Sequence, residues 1–320
     1  MLSSLLLVGL LTLSAHAADP DSETQENPGE ELEEIEEEPP PPPPPPTPAE
    51  SCEAGKVALC YEAGQGYFDG GNGIPKDRFR AVQLYRVGCT GESMQSCVAL
   101  ANAIREGDGV APDPVQAIEI YQKACEFGSG LSCRTVGDEN VMTAADPRDA
   151  ALWYGIGCEL QDGPSCTATA LAYERGDQNE ASDPERARRH FIAACRYGHG
   201  RGCTLLGYRY SKGLEGLKRD DAAALVLFTK GCEEGDPEGC RYLAEFEARG
   251  RGGEPPNLVR ASKTYERGCR AGDNLSCREV ATTQFAAGEY RKAMLSAKRG
   301  CELGDARSCK LQIKAQAHRP

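Results

Sequence analysis

Residues Tyr265 to Cys277 read YERGCRAGDNLSC: an aromatic, a cysteine four residues on, a glycine three further, and a second cysteine eight after the first. The unit recurs at Cys52/Cys60, Cys89/Cys97, Cys125/Cys133, Cys158/Cys166, Cys195/Cys203, Cys232/Cys240, Cys269/Cys277 and Cys301/Cys309, and these eight pairs use all sixteen cysteines. Successive first cysteines lie 37, 36, 33, 37, 37, 37 and 32 residues apart. A period of this size marks stacked supersecondary units, each touching only its neighbours. The chain therefore reads as one repeat domain, although 320 residues could hold two globular ones.

Alignment on the first cysteine places the helices. An alanine stands eight residues before it from the second unit on: Ala81, Ala117, Ala150, Ala187, Ala224, Ala261 and Ala293. An aromatic stands four before it in six of these seven: Tyr85, Tyr121, Tyr154, Phe191, Phe228 and Tyr265. Spacings of i, i+4 and i+8 put all three on one face of a helix that ends near the cysteine. Gly128, Gly198, Gly235, Gly272 and Gly304, three residues past their cysteines, suit a left-handed helix end. The second cysteine is expected to open the next helix. Four residues beyond it a small residue stands in seven of eight units, allowing close approach of a neighbour: Gly64, Ala101, Gly137, Ala170, Gly207, Ala244 and Ala281. Glycine- and proline-bearing loops such as residues 70–75 and 107–112 then end the hairpin. The fold class is all-α, a solenoid of helical hairpins.

Two disulfide schemes compete, and spacing separates them. Within the close pairs the separation never varies, whereas the gap from each second cysteine to the next first one runs from 24 to 29 residues. The distant scheme would also strand Cys52 and Cys309. The close scheme follows, with bridges Cys52–Cys60, Cys89–Cys97, Cys125–Cys133, Cys158–Cys166, Cys195–Cys203, Cys232–Cys240, Cys269–Cys277 and Cys301–Cys309. Each closes a small loop worth about 2.5 kcal/mol in the chain-entropy model, which would compensate helices rich in Ala and Gly.

The net charge of −13 is local: residues 19–50 hold twelve acids and no Lys or Arg, and removing these twelve leaves −1. A nearly neutral folded part offers no global field for nucleic acid or an anionic membrane. Paired cysteines at this density argue for an oxidising compartment. The apolar run Leu2–Ala15 followed by Ala15-His16-Ala17 predicts a signal peptide over 1–17, cleaved after Ala17. No Lys or Arg precedes the run, as a start upstream of Met1 would leave it. Residues 18–50 pair an acidic stretch with eight consecutive prolines, Pro39–Pro46, and are expected to form a disordered linker with an extended polyproline segment. The repeat solenoid is assigned to 51–317. No other segment is long and apolar enough to span a bilayer.

The hairpin period, the Ala, aromatic and small positions, and the cysteine pair in every unit resemble Sel-one-like repeats, in the secreted, cysteine-rich bacterial branch called the Hcp type. Tetratricopeptide repeats, with a period of about 34, are the near neighbour. The resemblance implies a right-handed α/α superhelix whose helix after each second cysteine lines a concave surface, and an adaptor role toward other proteins. It also carries an alternative: some Hcp-type proteins bind β-lactams or slowly hydrolyse them.

The residues themselves supply little enzyme chemistry. Ser-x-x-Lys, Ser-Asp-Asn and Lys-Thr-Gly are absent, as are Gly-x-Ser-x-Gly, His-Glu-x-x-His and a phosphate-binding glycine loop. Beyond the signal peptide only His190, His199 and His318 remain; the first two flank Cys195, but its assignment to a disulfide argues against zinc. No catalytic residue, metal or cofactor is assigned. Variation concentrates one and five residues past the second cysteine: Val98/Asn102, Arg134/Asp138, Thr167/Leu171, Thr204/Tyr208, Arg241/Glu245 and Arg278/Thr282. From these, Arg134, Tyr208, Arg241 and Arg278 form the expected binding row, because Arg and Tyr make good interface anchors. The expected protein is a monomeric, exported scaffold, periplasmic or extracellular, that binds an unidentified protein or peptide. A β-lactam hydrolase is the alternative, and a purely structural envelope component the third reading.

Overall fold

The computed structural model describes residues 44–143, 147–176 and 181–318. The expected signal peptide and the linker as far as residue 43 lie outside the described residues. The chain divides into Met1–Pro45 and Pro46–Pro320, and the fold belongs to the second unit.

That unit is a repeat solenoid of helical hairpins. It opens with α1 (Pro48–Glu53), a 3-10 turn at Val57–Leu59 and α2 (Cys60–Asp69). Seven hairpins follow: α3 and α4 (Arg78–Thr90, Met94–Glu106), α5 and α6 (Pro114–Glu126, Gly130–Met142), α7 and α8 (Pro147–Glu159, Gly163–Arg175), and α9 and α10 (Pro184–Arg196, Gly200–Lys212). Then come α11 and α12 (Asp221–Glu233, Pro237–Arg249), α13 and α14 (Leu258–Ala271, Asn274–Ala286), and α15 and α16 (Tyr290–Glu302, Ala306–Ala317). The described residues contain no strand, only an isolated bridge between Gly71 and Ile74. Each first cysteine lies near the end of an odd-numbered helix and each second one on the following even-numbered helix, joined by the eight close-pair disulfides.

The helix starts come from side-chain caps. Ser93, Ser129, Asp162, Asp236, Asp273 and Asp305 each accept the N–H three residues on and start an even-numbered helix. A cap of this kind contributes about 1 kcal/mol. The second cysteine therefore does not open its helix except at Cys60; elsewhere it is the fourth helical residue, because the cap stands four positions earlier. At the start of the unit, Thr47 and Glu50 form a reciprocal capping box with Pro48 in the first turn, and Ala49 and Cys52 are buried. Helical structure thus begins inside the stretch read as linker.

Packing explains the small residues. A methyl group built on Gly64 would come within 2.4 Å of the Tyr85 ring, one on Gly137 within 2.8 Å of Tyr154, and one on Gly207 within 3.0 Å of Phe228. In these repeats the even-numbered helix thus seats the aromatic of the odd-numbered helix that follows. The residue before the first cysteine is also small: a side chain on Gly88, Gly268 or Gly300 would collide with the N-terminal turn of the next helix and approach the Cβ of Cys60, Cys240 or Cys277. Close contact at this position stacks each repeat on the disulfide before it. The left-handed helix ends occur at Gly128, Gly198, Gly235, Gly272 and Gly304, with φ from 75° to 105°. Glu92 (φ 66°) and Gln161 (φ 65°) hold the same conformation with a side chain, where a Cβ is disfavoured.

Candidate binding face

In five repeats the aromatic seated against an even-numbered helix matches the residue five past the second cysteine. The Tyr85 hydroxyl donates to Gln65 Oε1 (3.0 Å), Tyr121 donates to Asn102, and Tyr154 donates to Asp138 (2.7 Å). Where the aromatic is Phe191 or Phe228 and has no hydroxyl, the corresponding residue is Leu171 or Tyr208. Burial pushes the Tyr85, Tyr121 and Tyr154 hydroxyls above the usual phenol range, and that of Tyr265 to about 12, with Glu245 adding to the last. These hydroxyls remain protonated donors. Much of the variation at this position is therefore hydrogen-bond matching within the chain.

The position one past the second cysteine clamps consecutive repeats. Arg134 pairs with Asp162 (3.2 Å), Arg241 with Asp273 (3.4 Å) and Arg278 with Asp305 (3.3 Å), in each case the cap of the next even-numbered helix. Where that cap is His199, Thr167 Oγ1 meets its Nδ1 at 2.7 Å. Thr204 faces Gly239 instead, and its buried Oγ1 lacks a hydrogen-bond partner.

The expected row is thus distributed over α6, α10, α12 and α14. Arg241 and Tyr208 converge on Tyr242: the Arg241 guanidinium lies 4.2 Å from the ring centre, and the Tyr208 ring is 5.6 Å away, tilted. Arg134 and Arg278 do not join this cluster. Tyr242 stands two past its cysteine, a column the sequence reading left out.

A cleft of about 540 Å³ lies farther toward the N-terminal repeats, between α2, α4 and the start of α6. Tyr61, Gln65, Met94, Val98, Asn102 and Leu131 are among its lining residues. Val98 and Asn102 belong to the variable face read from sequence, whereas Tyr61 and Gln65 were missed, although the same one-and-five rule applied to Cys60 selects both. Gln65 is fixed at both ends, accepting from Tyr85 and donating to Asp69 Oδ2 (2.8 Å). Tyr61 and Leu131 remain exposed, so the cleft has a rigid polar floor and apolar margins.

Groups suggestive of chemistry are engaged elsewhere. Arg209 bridges Glu174 and Glu215, with its guanidinium 4.3 Å from the centre of the Phe191 ring. Burial, and then the neighbouring Glu215, push the Glu174 carboxyl above its usual range against the opposing pull of Arg209. His190 stacks on Tyr173 and points Nδ1 at Cys158 Sγ, 3.5 Å away, while Cys195 is bonded to Cys203. No group of three or more His, Cys, Asp or Glu side chains among the described residues could hold a metal ion. Nor is any helix of the described residues long and apolar enough to cross a membrane.

The family model of the Sel1 repeat matches residues 57–91, 95–129, 164–199, 200–236 and 237–273. These windows cover more than half of the chain, which belongs to the Sel1 repeat family. No curated protein matches it. Among solved structures, c5321, a protective antigen of uropathogenic Escherichia coli displaying an SLR fold, is similar at TM-score 0.65 and 24% identity over 82% of this chain. This chain spans only 56% of that protein. A Sel1 repeat protein from Oxalobacter formigenes matches at TM-score 0.59 and 23% identity, covering 68% of this chain and 89% of its own. Both likenesses concern the fold. The Sel1 windows omit α1, α6–α7 and α14–α16, yet each of these helices carries a cysteine of a close-pair disulfide.

Proposed function

We propose that the protein is an exported, disulfide-stapled scaffold that binds an extended segment of a protein partner along its even-numbered helices. The observation that carries this reading is the cleft between α2, α4 and α6, where the variable positions of successive repeats converge around exposed apolar side chains. Its size suits one or two anchoring side chains of a bound segment. Tyr208, with Arg134, Arg241 and Arg278, would extend the contact along the same set of helices. Membership of the Sel1 repeat family supports an interaction role.

Export rests on the disulfides, which persist in oxidising compartments, and on the signal peptide read over 1–17. The linker over 18–50 would hold the solenoid away from its surroundings. The hydrolase alternative lacks support: all sixteen cysteines are bridged, and the hydroxyl of the Thr167–His199 contact belongs to a residue only 5% exposed.

A photo-crosslinking residue at Val98 tests the reading. Expressed in the native host, it should trap a discrete partner that the same probe at Lys230, on an odd-numbered helix, does not. Identical adducts from both positions, or none from Val98, would refute the assignment of the face.

A further inference from the structure

The matched hydrogen bonds around the cleft leave its floor with one kind of free group. Gln65 Oε1 is occupied by the Tyr85 hydroxyl, and Asn102 Oδ1 by that of Tyr121. In the same column Tyr154 faces the carboxylate of Asp138, which can only accept, so these hydroxyls donate and the amide oxygens are the ends they fix. The Asn102 Nδ2 group is left as the unpaired end, with no acceptor among the described residues, and one N–H of Gln65 Nε2 remains beside the bond to Asp69. The acids at the edge of the cleft are engaged as well, Asp108 with Arg78 and Glu106 with Arg105 at 3.6 Å.

Around this floor stand rings and aliphatic groups. The exposed Tyr61 ring stacks on Tyr85 with centres 6.2 Å apart, and Met94, Val98 and Leu131 continue the apolar rim from α4 to α6. A segment crossing these helices meets apolar contacts at the spacing of packed helices, about 8–10 Å. A polyproline II segment advances about 9 Å in each three-residue turn, so every third residue falls on the next helix. Where it is proline, such a segment presents carbonyls and rings but no N–H. An ordinary extended strand would turn N–H groups toward a floor whose amide oxygens are taken, and a helix would consume its carbonyls internally.

We propose that the cleft between α2, α4 and α6 takes a proline-rich segment of a partner protein in the polyproline II conformation, its rings against Tyr61, Val98 and Leu131 and its carbonyls on Asn102 Nδ2. The inference rests on the partner-binding reading of this face and names the class of segment bound. Asn102 sets that class. The next repeat carries Asp138 at the same position, where a carboxylate offers no donor, so the preference is confined to the first repeats. A proline-rich segment is stiff before it binds, which keeps the ordering cost low enough for a small cleft to hold it.

Titration calorimetry of the full mature chain with an acetylated, amidated oligoproline the length of Pro39–Pro46 is the test. Saturable binding is expected, and a Gly–Ser peptide of equal length should give none. Asn102→Asp keeps an acceptor for Tyr121, as Asp138 does for Tyr154, and removes the Nδ2 donor. It should weaken binding about tenfold or more while the unfolding midpoint moves little. Tyr61→Ala alters one exposed ring, should weaken binding comparably, and carries the test if Asn102→Asp fails to fold. No saturable binding, equal binding of the Gly–Ser peptide, or unchanged affinity in these variants overturns the proposal. Binding that appears only after Pro39–Pro46 are replaced by Gly and Ser overturns it too, and assigns the cleft to the chain's own prolines. If the probe at Val98 traps a partner while oligoproline fails to bind, the proline-rich class is lost and the partner-binding reading stands; if Val98 traps nothing, both fall.

Discussion

The Tyr85 hydroxyl donates to Gln65 Oε1 across 3.0 Å, tying the aromatic of one repeat to a residue on the cleft floor of the repeat before it. The corresponding pair Phe191 and Leu171 lacks both polar groups. Tyr85→Phe should destabilise the protein by about 1 kcal/mol by removing the donor. Gln65→Leu in the same chain should recover most of that loss. Urea unfolding of the two single variants and the double variant measures the coupling, and strictly additive losses would contradict the matching rule.

A second matched pair is Thr204 with Gly239. A Cβ on Gly239 would lie 2.5 Å from Thr204 Oγ1, whereas helices preceded by Arg at the Thr204 position carry Ser at the Gly239 position. Gly239→Ser should therefore lower stability by about 1–3 kcal/mol through overpacking. Thr204→Ala should relieve the part due to its hydroxyl, while the backbone of Gly231 and Cys232 stays 2.9 Å from that Cβ, and thermal unfolding of the double variant would reveal the partial recovery.

Glu92 holds the left-handed helix end that five other repeats give to glycine. Relief of the Cβ penalty makes Glu92→Gly stabilising by about 1 kcal/mol, after allowance for the added freedom of the unfolded chain. Lys123→Gly, at an exposed residue inside α5, should destabilise by a similar amount. Denaturant midpoints of the two variants should thus move in opposite directions.

The histidines set an acid limit. Burial is the main cause lowering the pKa of both His190 and His199 from 6.5, with Arg186 and Arg189 adding to the effect at His190. The unfolded chain binds these protons more readily than the folded one, so stability is fully present above 6.5 and falls as the pH drops toward the folded values. Glu174 acts in the opposite sense and at lower pH, because its raised folded pKa favours the folded state on protonation. Unfolding free energies at pH 7.5 and 5.5 should show the loss, and His190→Gln should reduce it. An unchanged difference in that variant would remove His190 as a source.

The architecture was legible because it is written in one residue type at one spacing: cysteine pairs locate each hairpin, and the alanine and aromatic columns fix which face turns inward. The helix starts do not follow from the cysteines, because Asp or Ser four residues before the second cysteine sets them. The binding row was harder to read because Arg134, Arg241 and Arg278 find their partners on the next repeat, about thirty residues on, and a single column does not show such a match. Pairs of columns carry the match: Thr167 with Gly202 and Thr204 with Gly239 depart together from the pattern of the other repeats. The cleft needed the structure, since its volume depends on how α2, α4 and α6 splay.

Every disulfide joins residues only eight apart in sequence. A chain threaded into an oxidising compartment from its N-terminus can close each bridge as soon as its second cysteine emerges, before the next pair arrives. Order of appearance then selects the native partner, and the very large number of possible pairings among sixteen cysteines need not be searched. Because each hairpin is also completed by its immediate neighbour, assembly can advance with synthesis, one repeat behind the point of entry. Oxidation added only after release would forfeit that order and expose all sixteen thiols to one another at once.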